Sequence, residues 1–228
     1  MNLSEELEAF LSRCKASISQ QRRRKQIILY ASGLKLKLRQ TSYCIFALDQ
    51  YSNVGDCSAN ATSGDEYLVA ERVPFYCDAF WASAYSCLDF LAQLVNQAMK
   101  LELKEDDVSF KQVLNKLGST AYSNMPVAQK VRTCANSHIF KNLAAYRHCS
   151  THRRPIYIEE ITQIIKGTEG YESDSTSGVT TVLRVLCDNP QVQKPKCRSR
   201  FIPDYLSSMN RKLQDQMCQI LRVITPTS

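Results

Sequence analysis

From Arg147 to Arg154 the chain reads Arg-His-Cys-Ser-Thr-His-Arg-Arg, setting two of its three histidines among three arginines. An arginine is a fixed fork of donors that grips phosphate oxygens, and a histidine moves protons near neutral pH. That pairing suits a reaction in which the substrate supplies its own nucleophile. RNA does so, through the 2′-hydroxyl beside each phosphate. Metal-free cleavage to a cyclic phosphate needs that hydroxyl deprotonated, the phosphoryl charge stabilised and the leaving oxygen protonated. Arg147 and His152 cover much of this, with His148 beside the arginine.

The surroundings favour a polyanion. From Val108 to Ile158 the chain has no Asp or Glu over 51 residues, where composition alone would place about five. The same window holds Lys111, Lys116, Lys130, Arg132, Lys141, Arg147, Arg153 and Arg154. No carboxylate close in sequence quenches these cations, so Lys141, Arg153 and Arg154 are the candidate phosphate contacts.

Other chemistries lack their residues. There is no Gly-rich phosphate loop and no Gly-x-Ser-x-Gly. His148 and His152 are four apart and share a helix face, as metal ligands do, yet Cys149 stands where a zinc-protease helix needs Glu. No metal or other cofactor is expected. Arg132 and His138 have a similar spacing, but Arg132 lies between apolar Val131 and Ala135 in mid-helix and ranks below Arg147.

The elements that must carry these residues are helical. Leu3, Leu7, Phe10, Cys14 and Ile18 repeat at helical spacing, and a second helical stretch carries Ile27, Ile28, Ala31, Leu34, Leu38, Ile45 and Leu48. Tyr51 to Asp65 reads as loop. Val73, Cys77, Phe80, Ala84, Cys87, Leu91, Leu94 and Ala98 then alternate steps of four and three, the seam of a central helix with Pro74 in its first turn. A short helix follows around Phe110 to Leu117, closed by Gly118. A long one is expected from Val127 to His152, stopped by Pro155. On an ideal helix Arg147 and His152 lie about 140° apart, so an unwound end or a cleft shared by two subunits is needed to aim both at one phosphate.

Ile156 to Ile165 reads as a further short helix, Gly167 to Gly178 as polar loop, and Val179 to Cys187 fits strand or helix. Asn189 to Arg200 reads as a basic loop and Pro203 to Ile224 as a closing helix. The fold class is all-α, an elaborated up-and-down bundle.

An Arg, a polar residue, three more residues and a His at the end of a helix in such a chain resembles the HEPN superfamily. The resemblance maps Arg147 to the motif arginine, His148 to the polar position and His152 to the motif histidine. It implies a helical core over about residues 73–158, with the helices of 3–50 and the segment 159–228 packed on it in a single domain of 1–228. It also implies a metal-independent endoribonuclease acting as a homodimer with the motif at the dimer cleft, and a role as toxin or defence effector. An antitoxin or nucleotidyltransferase partner is the expectation that goes with a toxin. Non-catalytic members bind nucleotides, RNA or partner proteins, which is the alternative.

The bulk numbers agree with a globular chain. It has 228 residues, 44% of them hydrophobic and 22% charged, with a net charge of +7. No run reaches the roughly 20 apolar residues of a membrane span, and residues 1–10 are acidic rather than signal-like, so a cytoplasmic location is expected. The ten cysteines form no Cys-x-x-Cys pair, and several fall on helical apolar stripes. They read as small buried hydrophobes.

Overall fold

A computed structural model describes residues 2–52, 63–152, 158–165, 179–187 and 199–227, with side chains described for 2–50, 72–148 and 202–227. Seven α-helices lie among the described residues: α1 (Leu3–Ser17), α2 (Gln21–Ser52), α3 (Ser63–Met99), α4 (Phe110–Leu117), α5 (Pro126–Asn136), α6 (His138–His152) and α7 (Ile202–Val223).

α1 begins where Asn2 caps it, its side chain accepting from the Ser4 amide at 3.0 Å. Leu3, Leu7, Phe10, Cys14 and Ile18 are all buried, as their spacing predicts. The helix ends at Ser17, so residues 3–50 form two helices.

α2 and α3 make the most extensive pairing in the molecule. They run antiparallel: Arg23 meets Gln97, Gly33 meets Phe90, Gln40 meets Ser83 and Tyr43 meets Tyr76. Every seam residue from Val73 to Ala98 is at most 1% exposed, and Trp81, Leu88 and Val95 widen that buried face. α3 is therefore the core's central member. α7 packs on α1, α2 and α5, and residues from Leu3 to Ile224 join one hydrophobic cluster.

Several expectations need correction. Pro74 lies inside α3 rather than in its first turn, since the helix starts at Ser63. α2 runs through Ser52, so of the expected loop Tyr51 to Asp65 only residues 53–62 lie outside the helices, and they fall outside the described residues.

The expected helix from Val127 to His152 is two. Ser137 takes up an extended conformation, its amide donating to Cys134 O at 3.0 Å and its hydroxyl to the same oxygen at 2.6 Å. The hydroxyl also accepts from the Phe140 amide at 3.2 Å, so one serine ends α5 and starts α6.

The chain is also not helical throughout. The short helix expected at Ile156 to Ile165 is a strand, β1 (Ile158–Ile165), and the ambiguous Val179 to Cys187 is β2 (Val179–Cys187). They pair antiparallel from Ile158 opposite Leu186 to Ile165 opposite Val179, and β3 (Ser199–Phe201) adds to β2 with Val185 opposite Phe201. Ile, Val and Thr dominate β1 and β2, and β-branched side chains suit a pleated ladder better than a helix. Helices build the bundle, and this three-stranded sheet is inserted between α6 and α7. The loop expected at Gly167 to Gly178 lies outside the described residues, and so do residues 189–198 of the basic loop expected at Asn189 to Arg200; its last two residues, Ser199 and Arg200, belong to β3 instead.

Candidate functional site

α6 carries the candidate site, and its buried side fixes how it sits. Leu143 and Tyr146 are buried, and Tyr146 lies flat on Trp81 of α3, with ring centroids 4.0 Å apart and planes 1° from parallel. Asn142, buried beside them, donates to the Tyr205 hydroxyl of α7 at 3.0 Å. These contacts pin the helix on two sides, and positions away from them face outward.

Arg147 and His148 are exposed, as is Lys141 one to two turns earlier. Arg147 follows Tyr146 on the flank nearest α3, where its guanidinium carbon stands 4.3 Å from the centroid of the Tyr85 ring. A cation over an aromatic face at that distance is worth about 0.5–1 kcal/mol at an exposed site. Phe140, a neighbour on the same flank two turns back, also meets Tyr85 and packs on Phe110 of α4 at 5.2 Å.

Asp89 stands one turn along α3 from Tyr85. Burial raises its carboxyl above the ordinary 3.8, while the Arg147 charge and a backbone hydrogen bond from Phe110 pull the other way. Its Oδ1 finds no hydrogen-bond partner among the described residues. The Arg147 guanidinium thus faces a tyrosine ring and the field of a half-sheltered carboxylate, both from α3.

The structure brings together Arg147, Tyr85 and Asp89, and places Arg147 and His148 side by side on α6. His152 is the last residue of α6, about 140° and 7.5 Å along the helix from Arg147 on ideal geometry. Its side chain, and the whole of Arg153 and Arg154, lie outside what is described. Arg132 and His138 fall on different helices, α5 and α6, which removes their shared-helix spacing. Among the described residues no group of three or more His, Cys, Asp or Glu could hold a metal.

Tyr85 and Asp89 are missed by a reading of the 51-residue acid-free window, because they lie about sixty residues before Arg147, on another helix. Their one signal is an i, i+4 spacing just beside the α3 seam, which puts ring and carboxylate on one flank.

A family model described as Cthe2314-like HEPN matches residues 30–188, more than half of the chain. The chain belongs to the HEPN superfamily. The matched segment reaches well beyond the core expected at 73–158, taking in most of α2 before it and both long strands after it. No curated protein and no solved structure matches the chain. In this HEPN protein the Arg-x4-His spacing falls on α6, with Arg147 on the α3 flank and His152 at the helix end. No helix among the described residues is long and apolar enough to cross a membrane.

Proposed function

We propose that this HEPN protein is a metal-independent endoribonuclease in which Arg147 and His152 act on one RNA phosphate. The observation that supports it best is the setting of Arg147: exposed, yet oriented by Tyr85 at 4.3 Å and by the field of Asp89. A preoriented guanidinium loses little freedom when it takes up phosphate oxygens. His152 removes the 2′-hydroxyl proton, the 2′-oxygen bonds to phosphorus, and the 5′-oxygen leaves with a proton. The products are a 2′,3′-cyclic phosphate and a 5′-hydroxyl. His148 fills the polar position of the motif, and Lys141, Arg153 and Arg154 hold flanking phosphates.

The reading includes a single helical unit over 1–228, a cytoplasmic location and a homodimer that pools Arg147 and His152 from facing helix ends. It also includes a role as toxin or defence effector, held in check by an antitoxin or nucleotidyltransferase partner. The tether on Arg147 equally suits the alternative, a non-catalytic module that binds RNA, nucleotides or a partner protein, because the same contacts hold an arginine for docking.

One experiment separates the two. The purified protein is incubated with mixed RNA in excess EDTA, and products are compared with those of Arg147→Ala and His152→Ala. Cleavage that survives EDTA, ends in a cyclic or 3′-phosphate, and disappears in both variants supports the ribonuclease. RNA with a 2′-deoxy sugar at the cut site should bind but stay intact, with affinity falling as salt rises. Binding without cleavage of any RNA leaves the docking module.

A further inference from the structure

α1 and α2 form a tight hairpin. α1 ends at Ser17, Ile18 takes up an extended conformation with its amide donating to Cys14 O at 2.9 Å, and α2 starts at Gln21. Between the two helices lies a groove of about 490 Å³. Small-ligand sites run from roughly 300 to 1,000 Å³, so this one has the size of a site. No residue of α6 lines it, which sets it apart from Arg147.

The two ends of the groove differ in chemistry. Leu11 and Cys14 of α1, with Ile27 and Ile28 of α2, make its apolar side; Cys14 and Ile27 are buried, and Ile28 is exposed at the mouth. Burial keeps the Cys14 thiol neutral, so the floor carries no charge. Beside the link between the helices stand Lys15, Arg24 and Lys25. Glu8, the one acid among the described lining residues, sits two turns back along α1 and is paired with Lys35. The carbonyl end of α1 and the amide end of α2 meet at the link and their fields oppose each other, so the side chains set the sign. It is positive.

Arg24 is laid across the link without being fully engaged there. Its Nη2 donates to Ser19 O at a long 3.4 Å, and its Nε, sheltered from water, has no hydrogen-bond partner among the described residues. A sheltered charged donor with no acceptor is costly, and an anion supplies one. The neighbouring Arg23 plays no part, since it is turned to the carbonyl end of α3.

We propose that this groove binds a small amphipathic anion, a phosphate or carboxylate head on an unbranched apolar chain. The head sits at the link, where the Arg24 fork and the ammonium groups of Lys15 and Lys25 reach its oxygens. The chain runs from there along Leu11, Cys14 and Ile27 toward Ile28. From Gln21 to Ile28 the α2 wall is about 10 Å long, and a straight slot between two helices suits a chain better than a ring system.

Calorimetry of the full chain with octyl phosphate, kept below the concentration at which it forms micelles, should show one saturable site per chain. Inorganic phosphate lacks the chain and octanol lacks the charge, so each should bind roughly tenfold more weakly or worse. Hexyl phosphate should bind up to about sixteenfold more weakly, about fourfold for each buried methylene removed. Arg24→Gln should weaken octyl phosphate binding roughly tenfold, and Lys25→Gln, at an exposed position, severalfold. Lys111→Gln, exposed on α4, should leave it unchanged. Ser12 is exposed on the groove wall, so Ser12→Phe should block the slot while keeping the parent's helical circular dichroism.

Binding that ignores chain length, survives Ser12→Phe, or falls equally in Lys111→Gln and Lys25→Gln overturns the proposal, because the anion then meets only a diffuse basic surface. Binding to vesicles of anionic lipid with none of monomeric octyl phosphate overturns it too, since a bilayer then docks on the surface and nothing enters the groove. RNA cleavage is not read in any arm, so the outcome is independent of the ribonuclease.

Discussion

Trp81 and Tyr146 lie face to face, 4.0 Å between ring centroids and 1° between planes, both fully buried. The stack couples the central helix to the helix that bears Arg147. Because Arg147 follows Tyr146, the rotation of α6 that seats the tyrosine also sets the arginine against Tyr85. Core packing and the aim of the candidate site are one constraint.

Tyr146→Ala should therefore cost both stability and function. Truncating a fully buried aromatic typically costs about 3–5 kcal/mol. For a chain of this size roughly 2–4 °C is lost per kcal/mol, so the melting temperature should fall on the order of 10 °C. RNA cleavage should fall with it even well below the melting point. Tyr146→Phe keeps the stack and should lose at most about 1.5 kcal/mol. A Tyr146→Ala protein that melts like the parent would show that α6 is held elsewhere.

Asp89 supplies a pH test. Its carboxyl is raised above the ordinary 3.8 chiefly by burial, with Arg147 and the Phe110 backbone opposing. A carboxyl raised in the folded state holds its proton more tightly there than in the unfolded chain. Its contribution is present in full below the unfolded value and is lost as pH climbs through the folded one. Asp89→Asn should thus gain on the parent as pH rises from below 3.8 through the raised value, then run level with it. Thermal melts across that range check the sign; a parent that gains on the variant would mean that the Arg147 attraction outweighs burial. In Arg147→Ala the Asp89 carboxyl, followed by carbon NMR, should titrate still higher.

The basic run at the head of α2 is not one surface. Arg23 is buried and donates from Nε to Gln97 O at 2.6 Å, and from Nη2 to Ala98 O at 3.0 Å and Thr227 Oγ1 at 3.1 Å. It caps the carbonyl end of α3 and ties down the C-terminal tail, whose Thr227 amide also donates to Ala98 O at 3.0 Å. The chain beyond is strained, with Lys100 at φ 53° and Glu102 at φ 60°.

Arg23→Met should cost on the order of 3 kcal/mol, since it strands carbonyls that a charged donor now satisfies. Arg23→Lys should recover little of it, because an ammonium lacks the fork that spans two carbonyls. Melting temperatures of the two variants, compared with the exposed Arg22→Met, check this. Equal losses at positions 22 and 23 would remove the capping role.

What was legible in the sequence was whatever a single helix decides alone. The α3 seam could be read because its steps of four and three put one face wholly inside, and α1 for the same reason. The break at Ser137 was hidden because Val131, Ala135, Ile139, Leu143 and Tyr146 stay in phase across it, while a serine hydroxyl turns the chain. β1 reads as helix in the sequence because Ile158, Ile161, Ile164 and Ile165 fall at helical spacing, and its partner β2 decides the matter. α2 blurred because it has two apolar faces: Ile27 is 1% exposed and Ile28 57%. Arg147 and His152 stood out by type and spacing. Tyr85 and Asp89 did not, because their meaning comes only from the helix packed against them.

The thiols give a last test, of the core itself. Cys14, Cys44, Cys77, Cys87, Cys134 and Cys218 are buried and unpaired, as their place on apolar stripes suggests. Burial pushes the Cys14 thiol up to about 11 and those of Cys87 and Cys134 to about 12, and raises Cys44, Cys77 and Cys218 as well. The thiolate is the reactive form, so at pH 8 only about one Cys14 in a thousand is ionised, against roughly one in four for an ordinary thiol. Iodoacetamide at pH 8 should leave all six unmodified in the native protein and label all six in urea, as read by peptide mass spectrometry. Cys14 is the one to watch, since it lines the open groove between α1 and α2. Fast native labelling there, with Cys87 and Cys134 still protected, would mean that α1 opens from the bundle while α3 and α5 stay packed.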